Sequence, residues 1–207
     1  MMDDFQFAYS RETHAMNPFP ADDLRLKALI LHIASRCADW EAFDTAMLDR
    51  LLFQADFLHF RLHGFPITGQ TYVRGIRAPS PENLRQVVRE LGRAGALEIR
   101  EEPRGDGLHV RHVPVALREP DLRPFDGQEI ALVERVLWFY LDQRNTGTGR
   151  DLLELPWELA GPREEIPYPL ALVAARPEPI PNIPLLAAPA RSQGLSLMAR
   201  EAILLAD

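Results

Sequence analysis

Between Asp44 and Gly64 the chain places apolar side chains at Met47, Leu48, Leu51, Leu52, Phe53, Ala55, Phe57, Leu58, Phe60 and Leu62. Asp44 offers a side-chain oxygen suited to the first free N–H groups of a helix. Gly64 can take the left-handed conformation in which helices commonly end. At 3.6 residues per turn, those apolar positions leave little of the helix circumference polar. Such a helix cannot lie half in water, so the rest of the chain must wrap around it.

The wrapping elements follow from local signals. A helix is predicted from Asp22–Asp23 to near Ala38, with Leu24, Ala28 and Leu31 at helical spacing and acids at its N-terminus. Residues 66–79 read as extended or turn-like, with Ile67, Tyr72 and Val73 able to form a short strand. Ser80-Pro81-Glu82-Asn83 predicts the start of a third helix, Ser80 at the cap and Pro81 in the first helical position. Leu84, Val87, Val88 and Leu91 would be its buried stripe and Gly95 its stop. Leu97 to Arg100 and Leu108 to Val115 alternate at period two around Arg104-Gly105-Asp106-Gly107, which predicts a β-hairpin. Asp126 followed by Glu129 resembles a capping box and opens a helix with Ile130, Val133, Leu137 and Leu141, ending near Asn145.

Nine of the 18 prolines lie between Pro156 and Pro189, which excludes regular helix or central strand over that tract. A last helix is predicted from about Ser192 to Leu205, with Leu195, Met198, Ala202 and Leu205 on one face. The fold class expected is α+β and mostly α-helical: a compact helical domain, a small antiparallel hairpin or sheet, and a Pro-rich C-terminal extension. The organisation expected is an N-terminal arm over 1–21 with Phe5, Phe7 and Tyr9 as docking side chains, a helical domain over 22–170, and a Pro-rich segment with a C-terminal helix over 171–207.

Charge narrows the partners. With 30 acidic and 23 basic residues the formal net charge is -7, which works against nucleic acid and anionic membrane as partners of the whole molecule. Cys37 is the only cysteine, so no intrachain disulfide forms. The start Met1-Met2-Asp3-Asp4-Phe5 lacks the basic region of a secretory signal, and no apolar run reaches the ~20 residues of a membrane span. The expectation is a soluble, cytoplasmic protein.

Three groupings invite chemistry. His59 and His63 stand four apart with Asp56 one turn earlier, a spacing that can share a metal, but no Glu follows His59 and a third ligand is lacking. His32 and Cys37 are five apart and share a helical face poorly. Asn145-Thr146-Gly147-Thr148-Gly149-Arg150 lacks the Gly-Lys-Ser/Thr ending of a phosphate loop. Hence no catalytic, cofactor-binding or metal-binding residues are assigned.

Binding residues are easier to nominate. Arg85, Arg89 and Arg93 recur at i, i+4 and i+8 on the third helix, where they serve as a solvated face, an acidic-partner site or a DNA-reading stripe. Helix, helix, helix, hairpin is also the order of a winged-helix DNA reader. Ile67, Thr68, Gly69, Thr71 and Tyr72 read either as structural or as an exposed strand edge for a partner to pair with. Trp157 and Tyr168 read as anchors of the Pro-rich stretch or as clamp residues.

A resemblance joins these pieces. Met47-Leu48-Asp49-Arg50-Leu51-Leu52-Phe53-Gln54-Ala55-Asp56-Phe57, then Gly64-Phe65-Pro66-Ile67-Thr68-Gly69-Gln70-Thr71-Tyr72, resembles the Panacea domain of SocA-like antitoxins. That family shows L-x-K-L-L-Y-x-A-D followed by G-x-x-I-T-G-x-T-Y. Pro156-Trp157 and Glu165-Ile166-Pro167-Tyr168 look like its W…E-x-I-x-Y segment, so the likeness runs over roughly 24–170. The chain departs where the family has a Y-G-P-x-P turn, here Arg77-Ala78-Pro79-Ser80-Pro81, and where it has Ser-His ahead of the Trp, here Leu153-Glu154. The resemblance implies a mostly helical fold and a non-enzymatic antitoxin that neutralises a cognate toxin, encoded next to it, by direct binding. The alternative is a winged-helix transcriptional regulator or autorepressor, which net charge disfavours.

Overall fold

The structure is a computed structural model that describes residues 17–103, 109–146 and 160–173. Its elements in chain order are α1 (Asp23–Arg36), α2 (Thr45–His63), β1 (Tyr72–Arg74), β2 (Pro79–Pro81), α3 (Leu84–Arg93), β3 (Leu97–Pro103), β4 (Val110–Ala116), α4 (Gly127–Thr146) and α5 (Leu170–Val173). The architecture is α+β and mostly helical, with two antiparallel two-stranded sheets, β1–β2 and β3–β4.

α2 is the axis. Leu48, Leu51, Leu52, Phe53, Ala55, Phe57 and Leu58 are each at most 1% exposed, and α2 contacts α1, α4, α5, β2 and β4. Its ends are those the sequence predicts: Asp44 accepts from the Met47 N–H at 2.9 Å, and Gly64 has φ +85°. α1 begins with the Asp22 carboxylate accepting from the Arg25 N–H at 2.9 Å. α4 opens with a reciprocal box: Glu129 N–H donates to Asp126 and Asp126 N–H to Glu129, at 2.8 and 2.9 Å.

α3 starts later than the Ser80–Pro81 signal predicts. Pro79–Pro81 instead pairs with β1, in the register Tyr72↔Pro81, Val73↔Ser80 and Arg74↔Pro79. The Glu82 N–H donates to the Thr71 carbonyl at 2.9 Å, so the backbone is still extended there. The ladder takes the groups that a cap would have used, and α3 begins at Leu84 with no side-chain cap on it. Leu84, Val87 and Leu91 are buried as predicted, while Val88 is only partly covered.

Two boundaries differ from expectation. Asn17, Phe19 and Pro20 are built into the domain: Asn17 Nδ2 donates to the Gly69 carbonyl at 2.7 Å, and the Phe19 ring lies 5.7 Å from Phe60 and from Tyr168. At the other end Ala171 is fully buried, so a cut at 170 runs through α5. Phe5, Phe7, Tyr9, the Arg104–Gly107 turn, Gly147–Arg150, Leu153-Glu154, the remainder of the Pro-rich tract and the 192–205 helix lie outside the described residues. Among the described residues, no helix is long and apolar enough to cross a membrane.

Candidate functional site

The motif residues converge on one carboxyl group. Asp56, on the buried face of α2, is 0% exposed. Its Oδ1 accepts from the Thr68 N–H at 2.7 Å, and its Oδ2 accepts from Thr68 Oγ1 at 2.5 Å and Tyr72 Oη at 2.8 Å. Burial pushes the Asp56 carboxyl up, against these hydrogen bonds, which favour the charged form. Burial, with Asp56 alongside, likewise pushes the Tyr72 phenol up. This is a rigid buried polar network in which each donor has its acceptor.

Around it, the 67–72 segment joins four parts of the chain. The Asp22 N–H donates to Thr68 O at 2.9 Å, and Tyr168 Oη donates to Gln70 O at 2.7 Å, across 98 residues. Gly69 has φ +67°, and a Cβ there would sit 2.3 Å from the Pro20 carbonyl oxygen, so only glycine lets the 17–20 segment cross. The Tyr168 ring lies 4.6 Å from Phe57 and 5.6 Å from Phe60. A hollow of about 80 Å³ beside Gln70, Thr71, Tyr72 and Tyr168 is several-fold smaller than the ~300–1,000 Å³ of a small-molecule site.

These positions settle which nominated residues face outward. Ile67, Thr68, Gly69, Tyr72 and Tyr168 are buried and Thr71 is partly covered. The exposed-edge reading of β1 is corrected by the structure. One edge of β1 pairs with β2, and along the other the Arg74 N–H donates to Glu164 O, Arg163 N–H to Arg74 O and Ile166 N–H to Tyr72 O, at 2.8–3.0 Å. Arg74 also donates from its guanidinium to the Ala160 carbonyl. A peptide therefore cannot add to β1 without displacing residues 163–166. Tyr168 serves as an anchor, and Trp157 lies outside the described residues.

No protein-family model, curated protein or solved structure matches the chain.

The groupings weighed for chemistry separate. Asp56 spends both oxygens on Thr68 and Tyr72, while the His59 ring stacks 4.5 Å from His63 and its Nδ1 lies 2.6 Å from the Phe65 carbonyl oxygen. Among the described residues no group of three His, Cys, Asp or Glu is placed to hold a metal ion. His32 Nε2 sits 2.9 Å from Glu134, which Arg36 also grips at 2.9 Å. Burial pushes Glu134 up, but His32 and Arg36 outweigh it and hold the carboxyl below its usual range. Cys37 is 1% exposed, and burial pushes its thiol up to about 12, the opposite of a nucleophile's need.

Arg85, Arg89 and Arg93 all stand exposed on the face of α3 opposite Leu84, Val87 and Leu91. Two acids near this helix make contacts that sequence reasoning did not assign. Asp23 Oδ1 accepts from Gln70 Nε2 at 3.1 Å and Asn83 Nδ2 at 2.7 Å, tying α1 to the start of α3. Asp49, on α2, meets the Ser80 side chain, and burial pushes its carboxyl up to about 7. An acid at a partly apolar helix position was the only sequence signal for Asp49.

Proposed function

We propose that this chain is a protein-binding antitoxin of the SocA-like, Panacea-domain kind, which neutralises a toxin encoded beside it by direct contact. The observation that carries this reading is the meeting of the three stretches on which the resemblance rests. Asp56 of the 47–57 stretch accepts from Thr68 and Tyr72 of the 64–72 stretch, and Tyr168, some hundred residues further on, donates to the Gln70 carbonyl. A chance likeness scattered along the chain has no reason to bring all three stretches together in the core. Such a core provides a rigid scaffold, and binding then falls to the surfaces it displays. A small cytoplasmic protein with a net charge of -7 is suited to a basic toxin, because complementary charge speeds encounter.

The test is co-expression with the product of the adjacent gene under separate inducible promoters. Growth arrest by that product alone, relieved when this chain is made, supports the reading. Growth arrest that this chain leaves untouched overturns it.

A further inference from the structure

We propose that the exposed arginine face of α3 is the surface on which this protein docks an acidic face of its protein partner; this rests on the protein-binding reading above.

The argument begins with a local rule that the helix breaks. Arg85, Arg89 and Arg93 follow one another at four-residue spacing, so like charges are stacked along about 12 Å of a ten-residue helix. Each such i, i+4 pair of like charges weakens the helix. The intramolecular return is electrostatic attraction without an ion-pair contact, from Glu90 on Arg93 and from Asp49 on Arg85. None of the three guanidinium groups is in an ion pair among the described residues, whereas Arg25, Arg36, Arg100, Arg111 and Arg123 each hold a carboxylate at 2.5–3.0 Å. Local rules are commonly broken where a surface serves something outside the chain.

The nearby acids do not neutralise the row. Glu90, on the same helix, is turned to Lys27 at 2.7 Å and to Gln86 at 3.0 Å, which binds it toward α1. Arg89 Nε donates to the Arg85 carbonyl at 3.2 Å, an arrangement that uses one of its donors. Asp49 interacts with Arg85 only weakly compared with its contact to Ser80, and Glu82 stands exposed just ahead of the helix.

The chemistry of the row selects the occupant. Three planar forks in line match carboxylates presented at helical or strand spacing, each able to accept two parallel N–H bonds. Duplex DNA asks for a broader basic surface than this. The hairpin that follows α3 works against it, since Glu101 is exposed on β3 while Glu98 and Glu102 offset Arg100 and Arg111. A net charge of -7 adds to the repulsion. A protein partner whose overall charge is basic can still present one acidic patch to this row.

The test compares the full chain with R85E/R89E/R93E and with R85K/R89K/R93K, using the purified product of the adjacent gene as the probe. The expected result is a complex at least ~100-fold weaker for the Glu variant, near-normal binding for the Lys variant, and wild-type binding that weakens about tenfold from 50 to 500 mM NaCl. Thermal melts establish that both variants are folded; if the Glu variant is not, the single change R89E replaces it, with at least ~5-fold weakening expected. Wild-type affinity in the folded Glu variant overturns the docking surface and leaves the protein-binding reading intact. Absence of any complex with the wild-type chain overturns both. A fluorescent 25-base-pair duplex is run in parallel. Salt-sensitive binding of it that the Glu variant alone loses overturns the protein occupant in favour of nucleic acid.

Discussion

Replacing Asp56 tests the hub from which the rest of the domain is hung. Asp56→Ala removes the acceptor of three donors, Thr68 N–H, Thr68 Oγ1 and Tyr72 Oη, in a site 0% exposed to solvent. A net hydrogen bond is worth about 1 kcal/mol, and an orphaned buried donor costs about 1–3 kcal/mol. Part of that cost is recovered because hydroxyls can turn, so the expected loss is roughly 3–5 kcal/mol. Against a typical total of 5–15 kcal/mol this is a large fraction, and it corresponds to a fall of about 10 °C or more in melting temperature. Asp56→Asn should cost only about 1 kcal/mol. Its carbonyl oxygen can still accept from the Thr68 N–H, and its amide can donate to the two hydroxyl oxygens.

The Asn variant should also change the pH response. Burial raises the Asp56 carboxyl, so between about pH 4, the unfolded value, and its folded value the native state binds the extra proton. The stability this group contributes is therefore full below about pH 4 and declines as pH rises through the folded value. Asp56→Asn removes that decline. The assay is urea denaturation followed by circular dichroism from pH 4 to pH 9 for all three proteins. An Ala variant within 1 kcal/mol of wild type would refute the hub, and an Asn variant as damaged as Ala would refute the hydrogen-bond account of it.

Asp49 gives a second pH signature: with its carboxyl raised to about 7, stability should fall by up to ~1.4 kcal/mol per pH unit from about pH 4 to 7, and Asp49→Asn should flatten that window in the same denaturation series. Gly69→Ala combines φ +67° with a 2.3 Å approach to the Pro20 oxygen, so a loss of at least ~2 kcal/mol is expected by thermal melting; an unchanged midpoint would show that the 17–20 segment yields freely. Asp44→Ala should cost about 1 kcal/mol through loss of the α2 cap, measured the same way, with no change in partner affinity.

Much of the fold was legible because the signals are local. Asp44, Gly64 and the Asp126–Glu129 box act within one turn of chain, and α2 announces its burial by its composition. Ser80–Pro81 misled because the same residues suit a helix start and a strand, and the competition is decided by their pairing with Val73 and Tyr72 of β1. The carboxyl hub was half legible. Asp56 stood inside the quoted motif, yet nothing local tells that its partners are Thr68 and Tyr72 rather than His59 and His63. The Tyr168–Gln70 contact spans 98 residues and is beyond any periodicity argument. The covering of β1 by residues 163–166 was invisible for the same reason, which is why the 67–72 segment looked like an available edge. The arginine row was legible in full, since helical spacing alone places Arg85, Arg89 and Arg93 together and the apolar stripe fixes which way they face.

The most direct test of the account is to purify the tagged chain from cells that also make the product of the adjacent gene, and to weigh what elutes. The account predicts a stable complex of fixed stoichiometry in which the partner's toxic activity is silenced and returns when the partner is released. A chain that elutes alone from cells it has rescued, or that leaves the partner fully active inside the complex, contradicts neutralisation by direct binding.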